Sequence, residues 1–298
     1  MNRIVVIGSS NTDMVVKTSR FPRPGETIIG GEFFLFPGGK GANQAVAAAR
    51  LGGRIALICS VGEDLFGHQA IEGFDREGID TAWIWPCPQT ASGVALITVN
   101  AGGENSIVVA PGANLDLAPG MIDQAQQLIA EADCILIQLE IPLETVAHAI
   151  ETSRRLKRKI ILNPAPAKEL PMELLDGLFL ITPNETEAEI LTGIKVTEEK
   201  SAGRAADVLL NAGIKNVIVT LGSKGAYYKS CNESFLTGAP VVVPVDTTAA
   251  GDVFNGAMAV ALSESMGWND AVSFACKAAS LSITRMGAQS SAPFRNEL

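Results

Sequence analysis

The chain has 298 residues, a length that suits one large α/β domain or two smaller domains. Hydrophobic residues make up 47% and charged residues 18%, and the 29 glycines and 15 prolines are scattered, which excludes collagen, a coiled coil and wholesale disorder. The formal net charge is −9 and the sequence contains no basic run, so a nucleic-acid polymer is not an expected partner.

The cysteines and the apolar runs indicate a cellular compartment. The five cysteines are odd in number, widely spaced and never arranged as C-x-x-C, which is typical of reduced thiols. No apolar run approaches the ~18 residues of a membrane span, and the first run, Ile4–Gly8, is too short for a signal peptide. We therefore expect a cytoplasmic protein without a membrane partner.

Short apolar runs alternate with segments of helical period, which is the pattern of an α/β fold with a mostly parallel central sheet flanked by helices. The predicted strands are Ile4–Gly8, Ile55–Ser60, Cys134–Gln138, Ile160–Asn163, Leu178–Thr182 and Val217–Leu221. The predicted helices are Gly41–Leu51, Gly67–Glu77, Pro119–Glu131, Leu143–Leu156, Glu185–Leu191, Glu198–Ala212, Gly251–Ser265 and Asn269–Thr284. The small residues of the last two helices indicate close helix packing.

Two pairs of alternating segments do not fit a crossover connection. They are Met14–Thr18 with Glu26–Phe36, and Gly93–Val99 with Asn105–Ala110. We interpret them as a small β-layer that projects from the main sheet, a candidate lid or interface. An extra antiparallel edge on the main sheet fits the pattern equally well. In the absence of internal repeats, we predict a single domain, 1–298, whose lid comprises about 14–36 and 92–110.

Two common kinds of catalytic site are excluded. His68 and His148 are the only histidines, and no G-x-S-x-G sequence occurs, so neither a His-rich metal site nor a Ser-His-Asp triad is available. The Gly-rich stretch around Lys40 matches neither the Walker spacing nor the dinucleotide-binding fingerprint. Acid–base chemistry at neutral pH therefore falls on carboxylates, lysines or bound water.

The stretch Val245–Gly256 is the strongest candidate for chemistry. Small residues at Ala249, Ala250 and Gly251 let the backbone N–H groups at a helix start face a ligand, as in an anion hole for a phosphate. A carboxylate beside such an anion, Asp252, is poorly suited to binding phosphate but well suited to taking a proton from an attacking hydroxyl. A helix-start carboxylate that complements the helix dipole is the alternative.

Further polar loops follow predicted strands or open predicted helices. Pro37–Gln44 is a Gly-rich turn whose Lys40 and Asn43 offer donors to hydroxyl groups, and Asn11 and Asp13 follow the first strand and could bind a polyol. Each of these could equally be a tight turn or a capped turn. Polar groups recur at Glu140 and at 220–225. Their common position at one edge of the sheet favours a binding site over independent caps.

The stretch Thr182–Glu187 offers hard oxygen ligands. Asn184 and Glu187 are three positions apart and share a helix face, where they suit Mg²⁺ held mainly through water and phosphate oxygens. A helix start whose charges complement its dipole is a strong alternative.

Taken in order, five motifs resemble those of the ribokinase-like (PfkB) carbohydrate kinases, and the similarity extends over nearly the whole chain. They are Asn11-Thr12-Asp13, Gly38-Gly39-Lys40-Gly41-Ala42-Asn43, Asn184-Glu185-Thr186-Glu187, Thr220-Leu221-Gly222-Ser223-Lys224-Gly225 and Asp246-Thr247-Thr248-Ala249-Ala250-Gly251-Asp252. The resemblance implies ATP-dependent phosphorylation of the 5-hydroxyl of D-ribose, with Asp252 as base and the backbone of Ala249, Ala250, Gly251 and Asp252 as anion hole.

The resemblance also implies roles for further residues. The sugar would be held by Asn11, Asp13, Gly38, Gly39, Lys40, Asn43, Glu140 and Asp252. The nucleotide would contact Asn184, Glu187, Thr220, Gly222, Ser223, Gly225, Gly251 and Cys276, with Glu187 organising Mg²⁺ through water. An activating K⁺ would lie near Asp246, Thr248, Ser282, Arg285, Gly287 and Ser291. Members of the family often pair as homodimers through the lid.

Two other hypotheses remain at this point. A related kinase of the family could act on deoxyribose, fructose or a nucleoside, and the amide of Asn11 bears on that choice because a site built for a hydroxyl rejects an analogue lacking it. A sugar-binding regulator without turnover belongs to a different class. Asp252 argues against a regulator, since a pure binder gains nothing from a carboxylate beside the transferred phosphate.

Overall fold

The structure is a computed structural model that describes residues 3–298. Its strands are β1 (Arg3–Ile7), β2 (Asn11–Lys17), β3 (Glu32–Gly38), β4 (Arg54–Gly62), β5 (Ile84–Cys87), β6 (Gly93–Val99), β7 (Asn105–Ala110), β8 (Cys134–Ile137), β9 (Lys159–Leu162), β10 (Leu180–Ile181), β11 (Asn216–Thr220), β12 (Ala226–Ser230) and β13 (Ser234–Thr237). Its α-helices are α1 (Lys40–Arg50), α2 (Leu65–Arg76), α3 (Pro119–Gln124), α4 (Gln126–Ala130), α5 (Leu143–Arg155), α6 (Met172–Leu175), α7 (Glu185–Thr192), α8 (Glu199–Asn211), α9 (Ala250–Ser263) and α10 (Trp268–Ser282).

The main sheet has nine strands in the order β13-β12-β11-β10-β9-β8-β1-β4-β5. Neighbours from β11 through β5 pair in parallel, whereas β12 and β13 add an antiparallel edge. Side chains alternate between the two faces of each strand. In β1, Ile4 and Val6 join one hydrophobic cluster, and Val5 and Ile7 join the other. The sheet is therefore buried on both faces, and the predicted α/β class is confirmed.

Helices cover both faces of this sheet. Residues of α1, α2, α9 and α10 contribute to one apolar cluster, and residues of α3, α4, α5 and α8 contribute to the other. The small residues of α9, from which we predict close helix packing, allow α9 to approach α1. A Cβ atom on Gly256 would lie only 2.8 Å from the carbonyl oxygen of Gln44 and 2.9 Å from Ala47 Cβ. This close approach sets the position of α1 relative to α9.

A second, separate sheet has the strand order β3-β2-β6-β7. The pairs β2–β3 and β6–β7 are antiparallel, and β2 joins β6 in parallel. The alternating segments thus form their own layer rather than an edge of the main sheet. The turn between β6 and β7 is fixed by Asn100, whose Oδ1 accepts hydrogen bonds from the backbone N–H groups of Gly102 and Glu104.

Several predicted boundaries were wrong. The predicted strand Glu26–Phe36 begins only at Glu32, because Gly30 and Gly31 adopt φ angles of 110° and 125° that a strand cannot continue through. The predicted helix Pro119–Glu131 is interrupted for one residue at Ala125. The strands β5, β12 and β13 were not predicted, since they lie at or next to the edges of the main sheet and lack the continuous apolar run of the buried strands.

In the part of the chain that the structure describes, no helix combines the length and the apolarity that crossing a membrane requires.

Candidate active site

The polar loops predicted at one sheet edge lie together around a cavity of about 180 Å³. Parallel strands deliver their carboxyl ends to the same edge, and the helices that follow begin there. The cavity is lined by Lys40, Asn163, Ala165, Thr182, Asn184, Glu187, Thr220, Thr247, Ala249, Ala250, Gly251, Asp252 and Asn255. Four of the five motifs singled out from the sequence therefore contribute to one site.

The N-terminus of α9 faces this cavity. Ala249 adopts φ 60° and ψ 10°, a left-handed conformation that is uncommon for a residue with a Cβ atom. It ends the preceding loop so that the first turn of α9 points its N–H groups outward. The N–H groups of Gly251 and Asp252 have no partner within the helix, as is usual in a first turn. This geometry and the helix dipole suit an anion.

Asp252 is a buried carboxylate held by two amides. The residue is only 5% exposed. Asn43 Nδ2 donates to Oδ2 and Gln44 Nε2 donates to Oδ1, each at 2.9 Å. Burial raises the pKa of Asp252, while the charge of Lys40 and the two amide donors oppose part of that rise. The carboxylate is thus placed as a base whose ionisation depends on its immediate partners.

Lys40 balances the negative charges of the site. Its pKa is raised, chiefly by the charge of Asp252 and further by Glu140, Glu187 and Asp13, although burial opposes the rise. An ammonium group among carboxylates stays protonated at neutral pH. Lys40 lines the same cavity as the first turn of α9, so a bound anion would meet both the ammonium group and the N-terminus of the helix.

Strand β2 carries Asn11 and Asp13, and its antiparallel pairing with β3 brings them next to the Gly-rich turn that starts at Gly38. A Cβ atom on Gly38 would lie 2.4 Å from both carboxylate oxygens of Asp13, so only glycine allows this approach. Asn11 Oδ1 accepts a hydrogen bond of 2.7 Å from Asn114 Nδ2, which turns the amide NH₂ of Asn11 away from that partner. Gly39, at φ 87°, completes the turn.

Glu140 connects this region to the main sheet. Its Oε2 accepts hydrogen bonds from Ser9 Oγ at 2.5 Å and from the backbone N–H of Lys40 at 3.0 Å. These contacts hold a carboxylate beside the N-terminus of α1. Asp13 experiences the neighbouring charges: burial, Glu140 and Asp252 together raise the pKa of Asp13 to about 7, although Lys40 opposes the rise.

Asn184 and Glu187 form a capping box at the start of α7. Asn184 Oδ1 accepts from the N–H of Glu187 at 2.8 Å, and Glu187 Oε2 accepts from the N–H of Asn184 at 2.9 Å. The helix-start interpretation is therefore observed, and both residues also line the cavity. Among the residues 3–298, no group of three or more acidic, His or Cys side chains could hold a metal ion. Mg²⁺ fits here only with water and phosphate oxygens as most of its ligands.

The residues expected near a monovalent cation lie around Asp246. Its carboxylate accepts hydrogen bonds of 2.9 Å from the N–H groups of Thr248 and Gly287, and the pKa of Asp246 is lowered because these bonds outweigh its burial. Ser282 and Ser291 are fully buried, and the backbone N–H of Arg285 bonds the carbonyl of Ser282. The carboxylate and hydroxyl oxygens that these residues carry are ligands of the kind that suits a hard cation such as K⁺.

Other predicted nucleotide contacts lie outside the 180 Å³ cavity. Gly222 and Ser223 are exposed in the turn after β11. Gly225 is buried with φ 96°, and a Cβ atom there would lie 1.9 Å from the carbonyl oxygen of Thr237. Cys276 lies in the hydrophobic cluster of α10, where burial raises the pKa of its thiol to about 11.

A larger cavity of about 840 Å³ lies between the second sheet and the loops that contain Asp246 and Gly287. Asp13, Val15 and Lys17 of β2 line it, since alternate residues of a strand face the same side. It reaches Thr247 and Thr248 just before α9. The second sheet therefore covers an approach to the site.

Four polar residues at the site were missed in the sequence. Gln44, Gln138, Asn163 and Asn114 are all buried, and each hydrogen-bonds directly or through one amide to a predicted site residue. Gln44 stood at the end of a motif, inside the predicted helix. Buried polar residues next to a motif are the signal that could have identified it.

The fold and the polar cavity at its sheet edge agree with the class of protein that the comparisons identify, the carbohydrate kinases. The family model described as "pfkB family carbohydrate kinase" matches residues 1–295, and the chain belongs to that family. The resemblance inferred from the motifs is thereby confirmed.

The named relatives include both ribokinases and a deoxyribokinase. The chain is 46% identical over 99% of its length to a ribokinase from Haemophilus influenzae, of which it covers 96%. It is 41% identical over 97% of its length to a deoxyribokinase from Salmonella typhi, of which it covers 95%. The structure of Arabidopsis thaliana ribokinase complexed with ribose and ATP superposes with a TM-score of 0.93 at 33% identity, covering 99% of this chain and 96% of the other.

Asp13 should make stability depend on pH. Because its pKa rises from 3.8 to about 7 in the folded protein, its contribution to stability is present at acid pH and is lost as the pH rises through 7. The cost above neutrality is at most about 4 kcal/mol. We expect Asp13→Asn to unfold at higher urea concentration than the wild type above neutral pH, with the difference shrinking towards acid pH. Asp270→Asn, at an exposed helix start, is the control. An unchanged pH slope in Asp13→Asn would contradict the expectation.

Proposed function

We propose that the protein transfers the γ-phosphoryl group of ATP to the 5-hydroxyl of D-ribose, giving D-ribose 5-phosphate and ADP. The single observation that carries the proposal is the position of Asp252, a buried carboxylate in the first turn of α9, in a cavity that Lys40 also lines. The named ribokinases among the relatives support ribose as the acceptor. Phosphoryl transfer needs a base, an anion hole and charge compensation, all of which residues of this site can supply.

In this proposal Asp252 is the catalytic base. Its carboxylate takes the proton from the attacking hydroxyl as the new O–P bond forms, and Asn43 and Gln44 hold it in position meanwhile. The N–H groups at the start of α9, from Ala249 to Asp252, meet the charge that develops on the phosphoryl oxygens. Lys40, which lines the same cavity, stabilises the same charge.

The sugar lies between the Gly-rich turn and β2. Asp13, Glu140 and the Oδ1 of Asn43 accept hydrogen bonds from hydroxyl groups, while the amide NH₂ of Asn11 donates to them. Gly38 and Gly39 let Asp13 and the backbone of Asn11 lie directly against the turn, which places the groups that hold the sugar close together. A donor aimed at a hydroxyl leaves an unpaired buried group when that hydroxyl is missing, so Asn11 favours ribose over deoxyribose.

The nucleotide occupies the side of the cavity formed by Asn184, Glu187 and Thr220, and it extends towards Gly222, Ser223, Gly225 and Cys276. Mg²⁺ bound with ATP neutralises phosphate charge, and Glu187 would hold it through water. K⁺ would be held by oxygen atoms of the loops around Asp246, Thr248 and Gly287, next to the start of α9. In that place it shapes the anion hole without touching substrate.

The second sheet is the proposed lid and the surface of a homodimer. Its outer face carries a row of cross-strand neighbours, Leu35, Met14, Leu96 and Val108, of which Leu35, Leu96 and Val108 are 49%, 51% and 65% exposed. Apolar residues contiguous over four strands are typical of a protein–protein contact. Its inner face covers the sugar side of the site, where closure would exclude water.

All five cysteines are free thiols in the structure. This supports the proposal of a reducing, cytoplasmic compartment.

The acceptor is tested by ATP consumption with D-ribose, 2-deoxyribose, fructose and adenosine, with a blank that lacks acceptor. We expect kcat/KM to be highest for ribose, and we expect activity to fall when K⁺ is replaced by Na⁺ at constant ionic strength. Higher kcat/KM with deoxyribose would move this chain to the activity named for its deoxyribokinase relatives. Equal rates in both salts would remove the cation from the proposal.

The role of the base is tested by Asp252→Asn. The variant keeps the size of the side chain and removes the proton acceptor, so kcat should fall by about three orders of magnitude or more while the Kd for ribose, measured by calorimetry, changes little. Asn216 is a buried amide outside the cavity lining whose Oδ1 accepts a hydrogen bond of 2.8 Å from the Tyr228 hydroxyl, so Asn216→Asp places a charge elsewhere in the protein and serves as the stability control. Turnover near that of the wild type in Asp252→Asn would refute the role.

The dimer is tested by Leu96→Asp. A charge in the middle of the apolar row should convert a dimer to a monomer in analytical ultracentrifugation, because the carboxylate would be buried unpaired at the contact. Leu143→Asp, at a 41% exposed site on α5, is the matched control and should leave the mass unchanged. A monomeric wild type at micromolar concentration would overturn the proposal.

A further inference from the structure

Behind Asp252 lies a chain of buried amides, of which Asn163 lines the cavity and Gln44 and Gln138 do not. Gln44 Nε2 donates to Asp252 Oδ1 at 2.9 Å and to Asn163 Oδ1 at 3.0 Å. Gln138 Nε2 donates to Gln44 Oε1 at 2.6 Å. Gln44 and Gln138 are both 0% exposed, and neither lines the 180 Å³ cavity. The two glutamines therefore act on the site only through other residues.

The direction of these hydrogen bonds is fixed by the carboxylate. An ionised Asp252 only accepts, so Gln44 must turn its NH₂ group towards it. Its carbonyl oxygen then faces Gln138, which must present its own NH₂ group in turn. A flipped Gln44 would set oxygen against the oxygens of Asp252 and Asn163, and NH₂ against NH₂ at Gln138. Only one orientation of Gln44 satisfies all three neighbours.

Asn43 and Gln44, consecutive residues of α1, divide the two oxygens of Asp252 between them. Asn43 donates to Oδ2, and its own Oδ1 is buried without a hydrogen-bond partner among the described residues. Asn43 thus retains an acceptor for a ligand, whereas both N–H groups of Gln44 are taken by protein atoms. The contact with Gln44 therefore uses no group that a ligand would need.

Burying the carboxylate of Asp252 costs free energy, and the hydrogen bond from Gln44 offsets part of that cost. Removing water from a carboxylate favours the protonated form, and a donor aimed at it favours the ionised form. A base must be ionised before the hydroxyl arrives. A donor that is itself held in place keeps the carboxylate ionised without having to reorganise during the reaction.

We infer that Gln44 is a positioning residue that keeps Asp252 ionised and aimed, and that Gln138 locks the direction in which Gln44 donates. The inference rests on the proposed role of Asp252 as base. It adds two residues to the site that never touch substrate, and it links the base on α9 to the end of β8 through α1.

The test is the pH dependence of kcat in Gln44→Met, which keeps the length of the side chain and removes the donor. A hydrogen bond to a charged group is strong enough to move a pKa by about one to two units. We expect the acid limb of the kcat profile to move up by about one to two pH units, with the KM for ribose within about twofold of the wild type. Gln138→Met should move the limb in the same direction by a smaller amount, since Gln138 acts only through Gln44.

Two further variants separate the possible failures. Asn216→Leu removes another buried amide, which bonds the carbonyl of Phe179 and the hydroxyl of Tyr228, and it should lower the thermal midpoint without moving the acid limb. Asp252→Asn, assayed in parallel, tests the proposed function itself.

If Asp252→Asn is inactive and the acid limb of the kcat profile is unmoved in both glutamine variants, the positioning role is overturned and the proposed function stands. If Asp252→Asn retains turnover, the proposed function fails first. If Gln44→Met does not fold, Gln138→Met alone decides: a shifted limb supports the inference and an unshifted one overturns it.

Discussion

The structure of the site depends on burying one negative charge without neutralising it. Asp252 is almost removed from water, and an isolated carboxylate in that position would take up a proton. Its ionisation is supported by the charge of Lys40 and by the amides of Asn43 and Gln44. Lys40, Asn43 and Gln44 all belong to the first turns of α1. The position of α1 against α9 is therefore as much a part of the site as the carboxylate.

That position is set by backbone contacts that leave no room for larger residues. Gly256 of α9 lies against Gln44 and Ala47 of α1, and Gly41 of α1 lies against the backbone of Gly8 and Ser9. Small residues allow the two helices and the end of β1 to approach within the reach of short amide side chains. A shift of one ångström at these contacts would lengthen the hydrogen bonds to Asp252 beyond useful distance.

The sugar side and the nucleotide side of the site have different physical characters. Asp13 and Glu140 gather negative charge next to the second sheet, where hydroxyl groups can donate to them. The start of α9 and Lys40 gather positive charge where phosphates would lie. Asp252 stands at the boundary, where the proposed reaction would bring a hydroxyl and a phosphate together. With a net charge of −9 on the chain, only local groups can attract the nucleotide.

The sequence by itself determined the class of the fold and the main positions of the site. Apolar strands that alternate with helices indicate a sheet buried on both faces, and this pattern is visible in the local periodicity. Motifs at the carboxyl ends of parallel strands must meet at one edge of the sheet, because the strands run in the same direction. The strands β5, β12 and β13 lack the apolar run of a buried strand, and the start of β3 depends on the φ angles of Gly30 and Gly31. That the second sheet is separate depends on the pairing of β2 with β6, which are far apart in the chain. The same holds for Gln44, Gln138 and Asn163. Their side chains acquire a role only when α1, β8, β9 and α9 converge, and a hydrogen bond between residues about a hundred positions apart leaves no local pattern.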